Sequence, residues 1–296
     1  MLQHMNTAPA APRRAVVLGA GGFVGGAAAR RLEAAGVEVL RLGRPRLDLL
    51  AQGAADALAA ALRPDDALVV VSALAPCKDA AMMAANLRMI EPVCAALRRA
   101  PIAHLVYVSS DAVYRDAPLP LNEESCAEPG SAHGAMHRAR EVLLADAARC
   151  PFAILRPTLI YGADDPHNGY GPNRFRRLAA EGKEIVLFGE GEERRDHVLV
   201  DDVAELMRLV LFHRSAGILN AATGQVASFR QIAEMVTALV ERPPAIRSSP
   251  RQGPMPHGGY RPFDCAATAK AFPGFRYAKL ADGLALVLRQ ALAGPR

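Results

Sequence analysis

The stretch Ala15-Val16-Val17-Leu18-Gly19-Ala20-Gly21-Gly22-Phe23-Val24-Gly25 decides the fold. A short apolar run leads into a glycine cluster, and an alanine-rich stretch that favours helix follows. This order predicts a buried strand, a tight turn and a helix. Gly19 permits the turn, Gly22 lets a pyrophosphate approach the backbone, and Gly25 lets helix and strand pack closely. Since the first N–H groups of the helix can bind an anion, the stretch predicts a dinucleotide site; the alternative is a glycine-rich turn in another parallel sheet.

Length and composition indicate a folded protein with one large domain or two closely packed ones. The chain has 296 residues, 51% of them hydrophobic, so disorder is expected only at the ends. Residues 1–13 are expected to form a flexible tail. No apolar run reaches the roughly 18 residues that cross a bilayer, and residues 1–12 lack the apolar segment of a signal peptide. We therefore expect a cytoplasmic protein without a membrane partner.

The charge and the cysteines point to small-molecule chemistry in a reducing compartment. The net charge of +5 is too small to indicate nucleic acid, and no Lys/Arg tract with interleaved aromatic residues is present. A small anionic substrate or cofactor is a sufficient reason for it. The five cysteines are scattered and form no Cys-x-x-Cys pair, which is typical of reduced thiols.

Beyond the glycine loop, strand and helix patterns alternate. Further strands are predicted at residues 37–42, 67–71, 102–108 and 152–157, and the helices between them include 79–99 and 131–148. This β-α-β-α-β-α-β order predicts an α/β protein with a doubly wound parallel sheet. Ser109, Ser110 and Asp111 follow one of these strands, at the edge of the sheet where such folds bind ligands.

The second half of the chain is less regular. A polar loop at residues 164–172 would suit a substrate lid, and further loops are predicted at 189–196 and, on the substrate side, at 241–261. The remaining predicted elements are a strand at 185–188 and helices at 175–181, 201–212, 228–240 and 280–292.

Several motifs, in this order, resemble those of the extended short-chain dehydrogenase/reductase family, in its nucleotide-sugar epimerase/dehydratase/reductase branch. The matching segments are the glycine loop, V-Y-V-S-S-D-A-V-Y at 106–114, L-R-P-T-L-I-Y-G at 155–162, and R-D-H-V-L-V-D-D-V at 195–203. Asn86 stands where the family has an Asn in its fourth helix. The resemblance extends from Arg14 to about Leu292.

The resemblance implies a Rossmann-type doubly wound sheet with a smaller carboxyl-terminal substrate domain. The Rossmann domain would comprise residues 14–162 and 197–222, and the substrate domain residues 163–196 and 223–296. The family commonly forms homodimers through a four-helix bundle, to which the helices 79–99 and 131–148 would contribute.

The resemblance also implies NADP or NAD as cofactor and hydride transfer at a carbon of a nucleotide sugar, by an epimerase or a 4-keto reductase. Asn173 and Arg195 would bind the substrate; Arg195, before Asp196, suits phosphate oxygens, the alternative being an ion pair with Glu192 or Glu193. The implied cofactor-binding residues are Gly19, Gly22, Phe23, Val24, Gly25, Arg44, Asp48, Leu49, Ala73, Leu74, Asn86 and Pro157.

The end of the second predicted strand favours NADP over NAD. NAD-specific relatives carry there an Asp that binds the ribose hydroxyls, whereas this chain has Gly43 followed by Arg44. The missing carboxylate removes a repulsion and Arg44 can pair with a 2′-phosphate, although it can also be a solvated surface residue. Asp48 lies too far along to replace the carboxylate and is expected near the adenine.

The catalytic positions agree only in part with the family. Ser110 matches the family's catalytic Ser/Thr and would bind the reacting hydroxyl, unless it only caps the strand end. Asp111 can be a general acid or a turn-forming residue. Because Ala112 replaces the second acid of the 4,6-dehydratases, a dehydratase is disfavoured. Leu159 stands where many sugar enzymes of the family carry Asn.

The main departure is the family's Tyr-x-x-x-Lys pair, which is replaced by His133 and His137. With an ordinary pKa near 6.5, His133 can serve as the base without help, and His137, one turn on, can bind the nicotinamide ribose. The alternative is a catalytically silent dinucleotide-binding protein, a cofactor sensor or an assembly subunit. Zinc is disfavoured because no third ligand accompanies the two histidines, and no metal is expected.

Overall fold

A computed structural model describes residues 2–293, which form an α/β structure around a six-stranded parallel sheet. The strand order is β2-β1-β3-β4-β5-β9, and every neighbouring pair is parallel. This arrangement confirms the predicted Rossmann-type doubly wound sheet. The strands are β1 (Arg14–Leu18), β2 (Glu38–Leu42), β3 (Asp66–Val70), β4 (His104–Val108), β5 (Phe152–Pro157) and β9 (Gly217–Ala221).

Helices cover both faces of the sheet. Successive strand residues point to opposite faces, and those on both faces are apolar. In β1, Ala15 and Val17 pack in one core, and Val16 and Leu18 pack in the other. The first core is closed by α1 (Phe23–Ala34) and α6 (Val200–Phe212), and the second by α2 (Ala54–Ala61), α3 (Ala80–Arg99) and α4 (Ala132–Ala147).

Helix α3 is the one helix of residues 2–293 whose length and apolar composition would suffice to cross a membrane. In the fold, its residues Ile90, Val93 and Leu97 are buried in the second core. The helix therefore packs as a core helix of a globular domain does.

A smaller part of the chain has its own core and two small sheets. Its core joins α5 (Pro172–Ala180), β7 (Ile185–Phe188), α7 (Phe229–Thr237) and α9 (Leu280–Leu292). One sheet pairs β7 with β11 (Ile246–Ser249), and the other is centred on β8 (Arg194–Leu199). The partners of β8 are β6 (Leu159–Tyr161), β10 (Val226–Ser228) and β12 (Tyr260–Arg261), and a short helix, α8 (Ala266–Ala271), follows.

The sheet around β8 crosses the domain boundaries expected from the resemblance. Strand β6 and the second half of β8 fall in the expected Rossmann domain, yet they pair with each other in this second sheet. Strands also replace two predicted loops, since β8 begins within 189–196, and β11 and β12 lie within 241–261. The first residues of β8 are Arg194, Arg195 and Asp196, so an apolar alternation that would announce a strand is missing.

The amino-terminal segment is tied to the sheet, in contrast to the expected flexible tail. Gln3 exchanges two backbone hydrogen bonds of 2.8 Å with Ala216, just before the edge strand β9. The His4 ring contacts Ser215 Oγ at 2.8 Å and the carbonyl of Ala271 at 2.9 Å. The edge strand offers unpaired backbone groups, and composition carries no signal for such pairing.

Candidate active site

The glycine loop lies where the sheet order reverses, between β1 and β3. Gly19 has φ +99°, and a Cβ there would lie 2.7 Å from the backbone nitrogen of Ser72. A Cβ on Gly25 would lie 2.2 Å from the carbonyl oxygen of Gly19. The tight turn and the close packing of α1 on β1 therefore both require glycine.

A cavity of about 790 Å³ opens at this edge of the sheet. Gly22 caps α1 without a side-chain acceptor, and the first turn contains no acidic residue, so its N–H groups are free for an anion. Nearly all the expected cofactor-binding residues line the cavity: Gly19, Gly22, Phe23, Val24, Gly25, Arg44, Asp48, Leu49, Ala73, Leu74 and Pro157.

Asn86 is the exception, because its side chain is buried beneath the wall of the cavity. Its Oδ1 accepts from the backbone N–H of Leu74 at 2.9 Å, and its Nδ2 donates to the carbonyls of Leu74 and Met82 at 3.0 and 2.9 Å. All its contacts are with backbone, so in this structure Asn86 positions the wall segment that follows β3.

The end of the cavity next to β2 contains Gly43 and Arg44 and the residues around Asp48. The Asp48 carboxylate accepts from the backbone N–H of Leu50 at 3.0 Å, which fixes it in a local turn. The carboxylate is therefore held by its own loop, and Arg44 is the charged residue next to the end of β2.

His133 projects from the first turn of α4 into the cavity wall. Its Nδ1 accepts from the backbone N–H of Cys77 at 3.3 Å. In the neutral ring this bond places the proton on Nε2, so the ring presents a donor to the cavity. A base needs a free lone pair on Nε2. His133 can therefore accept a proton on Nε2 only in the tautomer that carries its proton on Nδ1, where that N–H would face the backbone N–H of Cys77.

His137 has the same tautomer for a different reason. The Tyr107 hydroxyl lies 2.7 Å from its Nδ1. Burial raises the pKa of Tyr107, so the hydroxyl keeps its proton. Among the residues described, its hydrogen-bonding partner is His137 Nδ1, and the hydroxyl therefore donates there. The proton of His137 is left on Nε2, which can donate to a hydroxyl in the cavity.

The two rings are close and both are neutral near pH 7. Their centroids are 4.7 Å apart in an edge-to-face arrangement. Burial lowers the pKa of His133, against a smaller opposing effect of Asp111. Burial, His133 and Arg140 together lower the pKa of His137 well below 6.5. The repulsion that two cations would cause at this spacing is therefore avoided.

A buried ion pair fixes helix α4 against the sheet. Arg156 on β5 donates to both oxygens of Glu141, at 2.8 and 2.7 Å, and Ser109 Oγ donates to Glu141 Oε1 at 2.6 Å. Next to Glu141 on the same helix, Arg140 donates to the carbonyl of Ser72 at 2.6 Å. These contacts hold the side of α4 that carries His133 and His137 towards the cavity.

Ser110 and Asp111 lie in the cavity wall at the end of β4. Ser110 Oγ accepts from the backbone N–H of Ala112 at 3.1 Å, so it caps the short 3₁₀ helix Asp111–Val113 and also faces the cavity. Asp111 Oδ2 lies 3.5 Å from Nε of Arg261. The Asp111 carboxylate thus lies in the same part of the cavity wall as His133 and His137, which we call the histidine end.

The two expected substrate-binding residues are placed differently. Arg195 lines the cavity, and its Nε donates to Glu193 at 2.8 Å, the ion pair that was the alternative interpretation. Its terminal nitrogens form no hydrogen bond with any residue of the described range 2–293. Asn173 does not line this cavity: its Oδ1 accepts from Gly162 N at 3.1 Å and its Nδ2 donates to the carbonyl of Ile160 at 3.3 Å.

One histidine of the cavity wall was not among the residues expected from the sequence. His257 lines the cavity, and its Nδ1 lies 2.5 Å from Asp116 Oδ1. The carboxylate of Asp116 also contacts Arg261, whose Nη2 donates to the carbonyls of Asp111 and Tyr114 at 2.9 and 3.1 Å. The only signal was the location of His257 in the loop expected on the substrate side. Within residues 2–293, no group of three His, Cys, Asp or Glu side chains is arranged to hold a metal.

Comparison with known proteins identifies the family of this chain. A family model described as the NAD dependent epimerase/dehydratase family matches residues 15–222. A dTDP-4-dehydro-6-deoxy-D-allose reductase from Streptomyces bikiniensis is 28% identical over 280 residues, covering 81% of this chain and 85% of that protein. The chain therefore belongs to the NAD dependent epimerase/dehydratase family.

Solved structures share the fold. A GDP-L-fucose synthetase from Naegleria fowleri, bound to NADP, superposes with a TM-score of 0.83 at 16% identity, covering 98% of this chain and 97% of that one. A UDP-glucose 4-epimerase from Thermus thermophilus, in complex with NAD, gives a TM-score of 0.80 at 21% identity, covering 95% of this chain and 100% of that one.

Proposed function

We propose that this member of the NAD dependent epimerase/dehydratase family transfers hydride between NADP(H) and a sugar carbon of a nucleotide sugar, with His133 in place of the usual tyrosine. The observation that carries the proposal is that one cavity joins the glycine loop, the histidine pair and Arg195. Reduction of a keto sugar is the favoured direction, because His133 presents an N–H donor that suits a carbonyl oxygen. The name of the reductase from Streptomyces bikiniensis supports the same direction.

The residues present fit a dinucleotide. Glycines 19 and 25 leave no room for a Cβ, and the start of α1 offers free N–H groups to a pyrophosphate. The absence of a carboxylate at Gly43, with Arg44 beside it, favours the 2′-phosphate of NADP over NAD. When bound, the nicotinamide ring of such a cofactor would give or accept the hydride.

The histidine pair divides the work of the family's tyrosine and lysine. His133 Nε2–H holds the reacting sugar oxygen, and Ser110 Oγ binds the same oxygen from the end of β4. His137 Nε2–H binds the nicotinamide ribose, as an ammonium group would, because Tyr107 occupies its other nitrogen. Both roles use neutral rings, in agreement with the lowered pKa values of both histidines.

The substrate's diphosphate is assigned to Arg195. Its Nε is bound to Glu193, which leaves its terminal nitrogens to form paired hydrogen bonds with phosphate oxygens. Direct contact between Asn173 and the substrate has less support, since both ends of its amide are bound to backbone.

The test is a turnover screen with purified protein, NADPH or NADH, and a panel of nucleotide sugars and nucleotide 4-keto sugars. We expect consumption of NADPH with a keto sugar, and loss of that turnover in His133→Ala. An epimerase would instead give an isomeric sugar without net consumption of cofactor. Tight cofactor binding without turnover of any panel member would favour the catalytically silent dinucleotide-binding protein.

We also propose a homodimer in which α3 and α4 of two copies form a four-helix bundle. The support is that α3 and α4 pack side by side and that Val142 and Leu143 on α4 are exposed. Light scattering coupled to size exclusion should give twice the chain mass, and Val142→Glu with Leu143→Glu should give the monomer. A wild-type monomer would contradict the proposal.

A further inference from the structure

His257 and His133 face the same cavity with opposite hydrogen-bonding character. His133 receives a hydrogen bond on Nδ1 from a backbone N–H and therefore presents Nε2–H. His257 has its Nδ1 2.5 Å from Oδ1 of Asp116, which as a carboxylate only accepts. The proton of neutral His257 therefore lies on Nδ1, and its Nε2 presents a lone pair, since no hydrogen bond to that atom is found within residues 2–293.

Arg261 also contacts the nitrogen of His257 that faces Asp116. Arg261 Nη1 lies 2.6 Å from His257 Nδ1, and both nitrogens also contact Oδ1 of Asp116. A guanidinium N–H cannot accept, so the Nδ1–H tautomer requires that both N–H donors point to Oδ1 of Asp116, whereas donation from Arg261 to Nδ1 would place the proton on Nε2. The arrangement resembles the carboxylate-oriented histidines that act as bases.

We propose that His257, which is oriented by Asp116 and lines the same cavity as His133, is the catalytic residue that exchanges a proton with the sugar hydroxyl. This inference rests on the proposed nucleotide-sugar oxidoreductase function. In the oxidative direction, the O–H bond breaks and its proton passes to His257 Nε2. The O–H electron pair forms the C=O bond, and the hydrogen on the same carbon would leave as hydride, which the oxidised nicotinamide of a bound cofactor would accept. Reduction is the reverse, with the imidazolium of His257 as the proton donor.

The charges around His257 suit this exchange. Burial, Arg195 and Arg261 lower the pKa of His257, whereas Asp116 raises it. The ring is therefore mainly neutral near pH 7, which suits acceptance of a proton in the oxidative direction. In the reductive direction the proton donor is the imidazolium, which Asp116 stabilises. If the substrate's diphosphate neutralises Arg195, binding of a nucleoside diphosphate should raise the pKa of His257.

The first test needs no turnover. In protein labelled with ¹⁵N-histidine, long-range ¹H–¹⁵N spectra assign the tautomers, with His257→Gln and His133→Gln identifying the signals. We expect the Nδ1–H form for His257, the Nε2–H form for His133, and a rise in the pKa of His257 when UDP or dTDP is added. His4, an exposed histidine whose partners do not line the cavity, is the control and should not respond. An Nε2–H form of His257 overturns the inference.

The second test uses the pH dependence of turnover in the oxidative direction. For the wild type, kcat/KM should rise with pH through a pKa below 6.5 and then level off. His257→Gln should lower kcat by about 10²–10⁴-fold and abolish this rise of kcat/KM with pH, the acidic limb of the profile. Asp116→Asn should move the limb to lower pH because a carboxylate that raises the pKa is lost. His133→Gln should lower the rate but keep the limb.

The outcomes separate the two proposals. If the wild type turns over no nucleotide sugar, the proposed function fails. The tautomer of His257 then still shows whether Asp116 orients the ring, as the dyad of Asp116 and His257 requires. If the wild type is active and folded His257→Gln retains its rate and pH limb, the inference fails while the function stands. Asp116→Asn provides the same decision where His257→Gln does not fold, since an unmoved limb contradicts the dyad.

Discussion

The two ends of the cavity are built in different ways. At the glycine end the backbone forms the site, and the steric limits at Gly19 and Gly25 decide its shape. At the histidine end, side chains from separate segments meet, and the properties of each ring depend on one partner. Cys77 sets the tautomer of His133, Tyr107 that of His137, and Asp116 that of His257. Changes at the first end should therefore act through packing and affinity, and changes at the second through the rate.

The largest effect is expected at the histidine end. His133→Ala removes the donor to the reacting oxygen and should lower kcat by roughly 10²–10⁴-fold, the usual effect of such a group. Cofactor affinity, measured by fluorescence titration with NADPH, should change little, because the glycine end is intact. A variant with wild-type kcat would show that His133 is not part of the reaction, and His4→Gln provides the matched control.

At the glycine end, Gly25→Ala should act on stability and on cofactor affinity together. The added Cβ would lie 2.2 Å from the Gly19 carbonyl oxygen, so α1 must move away from the turn. We expect a loss of about 1–3 kcal/mol in the free energy of unfolding, measured by urea denaturation, and weaker NADPH binding. The control is Gly274→Ala, where nothing lies within 4 Å of the added Cβ. Equal stability of both variants would refute the packing argument.

Between the two ends, Arg195→Ala should weaken binding of nucleoside diphosphates and leave NADPH affinity unchanged. Loss of charge-assisted hydrogen bonds costs about 1.5–3 kcal/mol, which corresponds to roughly 10- to 100-fold in Kd. Isothermal titration with UDP, dTDP and GDP measures this. Loss of NADPH binding instead would mean that Arg195 and its partner Glu193 hold the fold rather than the substrate.

The smallest effect is expected at the edge of the glycine end. Arg44→Ala should lower the affinity for NADPH by about tenfold, the effect of one solvated ion pair with a phosphate, and leave the affinity for NADH unchanged. Arg63→Ala, an exposed arginine near Glu38, is the control. Equal affinities for the two cofactors in the wild type, unchanged in Arg44→Ala, would mean that the 2′-phosphate is not recognised there.

The contrast between the glycine end and the histidine end also explains which parts of the structure the sequence predicts. Five strands of the parallel sheet and the roles of Gly19 and Gly25 follow from local spacing, since apolar runs and glycine positions act over a few residues, whereas the sixth strand, β9, was not predicted. The pairing of Gln3 with Ala216 and the strand β8 depend on partners far along the chain. His257 lies in a loop with no periodic pattern, and its contact with Asp116 spans 141 residues. The tautomers of the histidines could not be read from the residue types for the same reason.

The central claim is that hydride passes to a nucleotide sugar at a site where histidines replace the tyrosine and lysine. The most direct measurement is transfer of deuterium from NADPH deuterated at C4 of the nicotinamide ring to a panel of nucleotide 4-keto sugars, followed by mass spectrometry. The account predicts a product carrying one deuterium on the former keto carbon with the wild type, and strongly reduced transfer with His133→Ala. The absence of deuterium transfer to any panel member by a wild type that binds NADPH would contradict it.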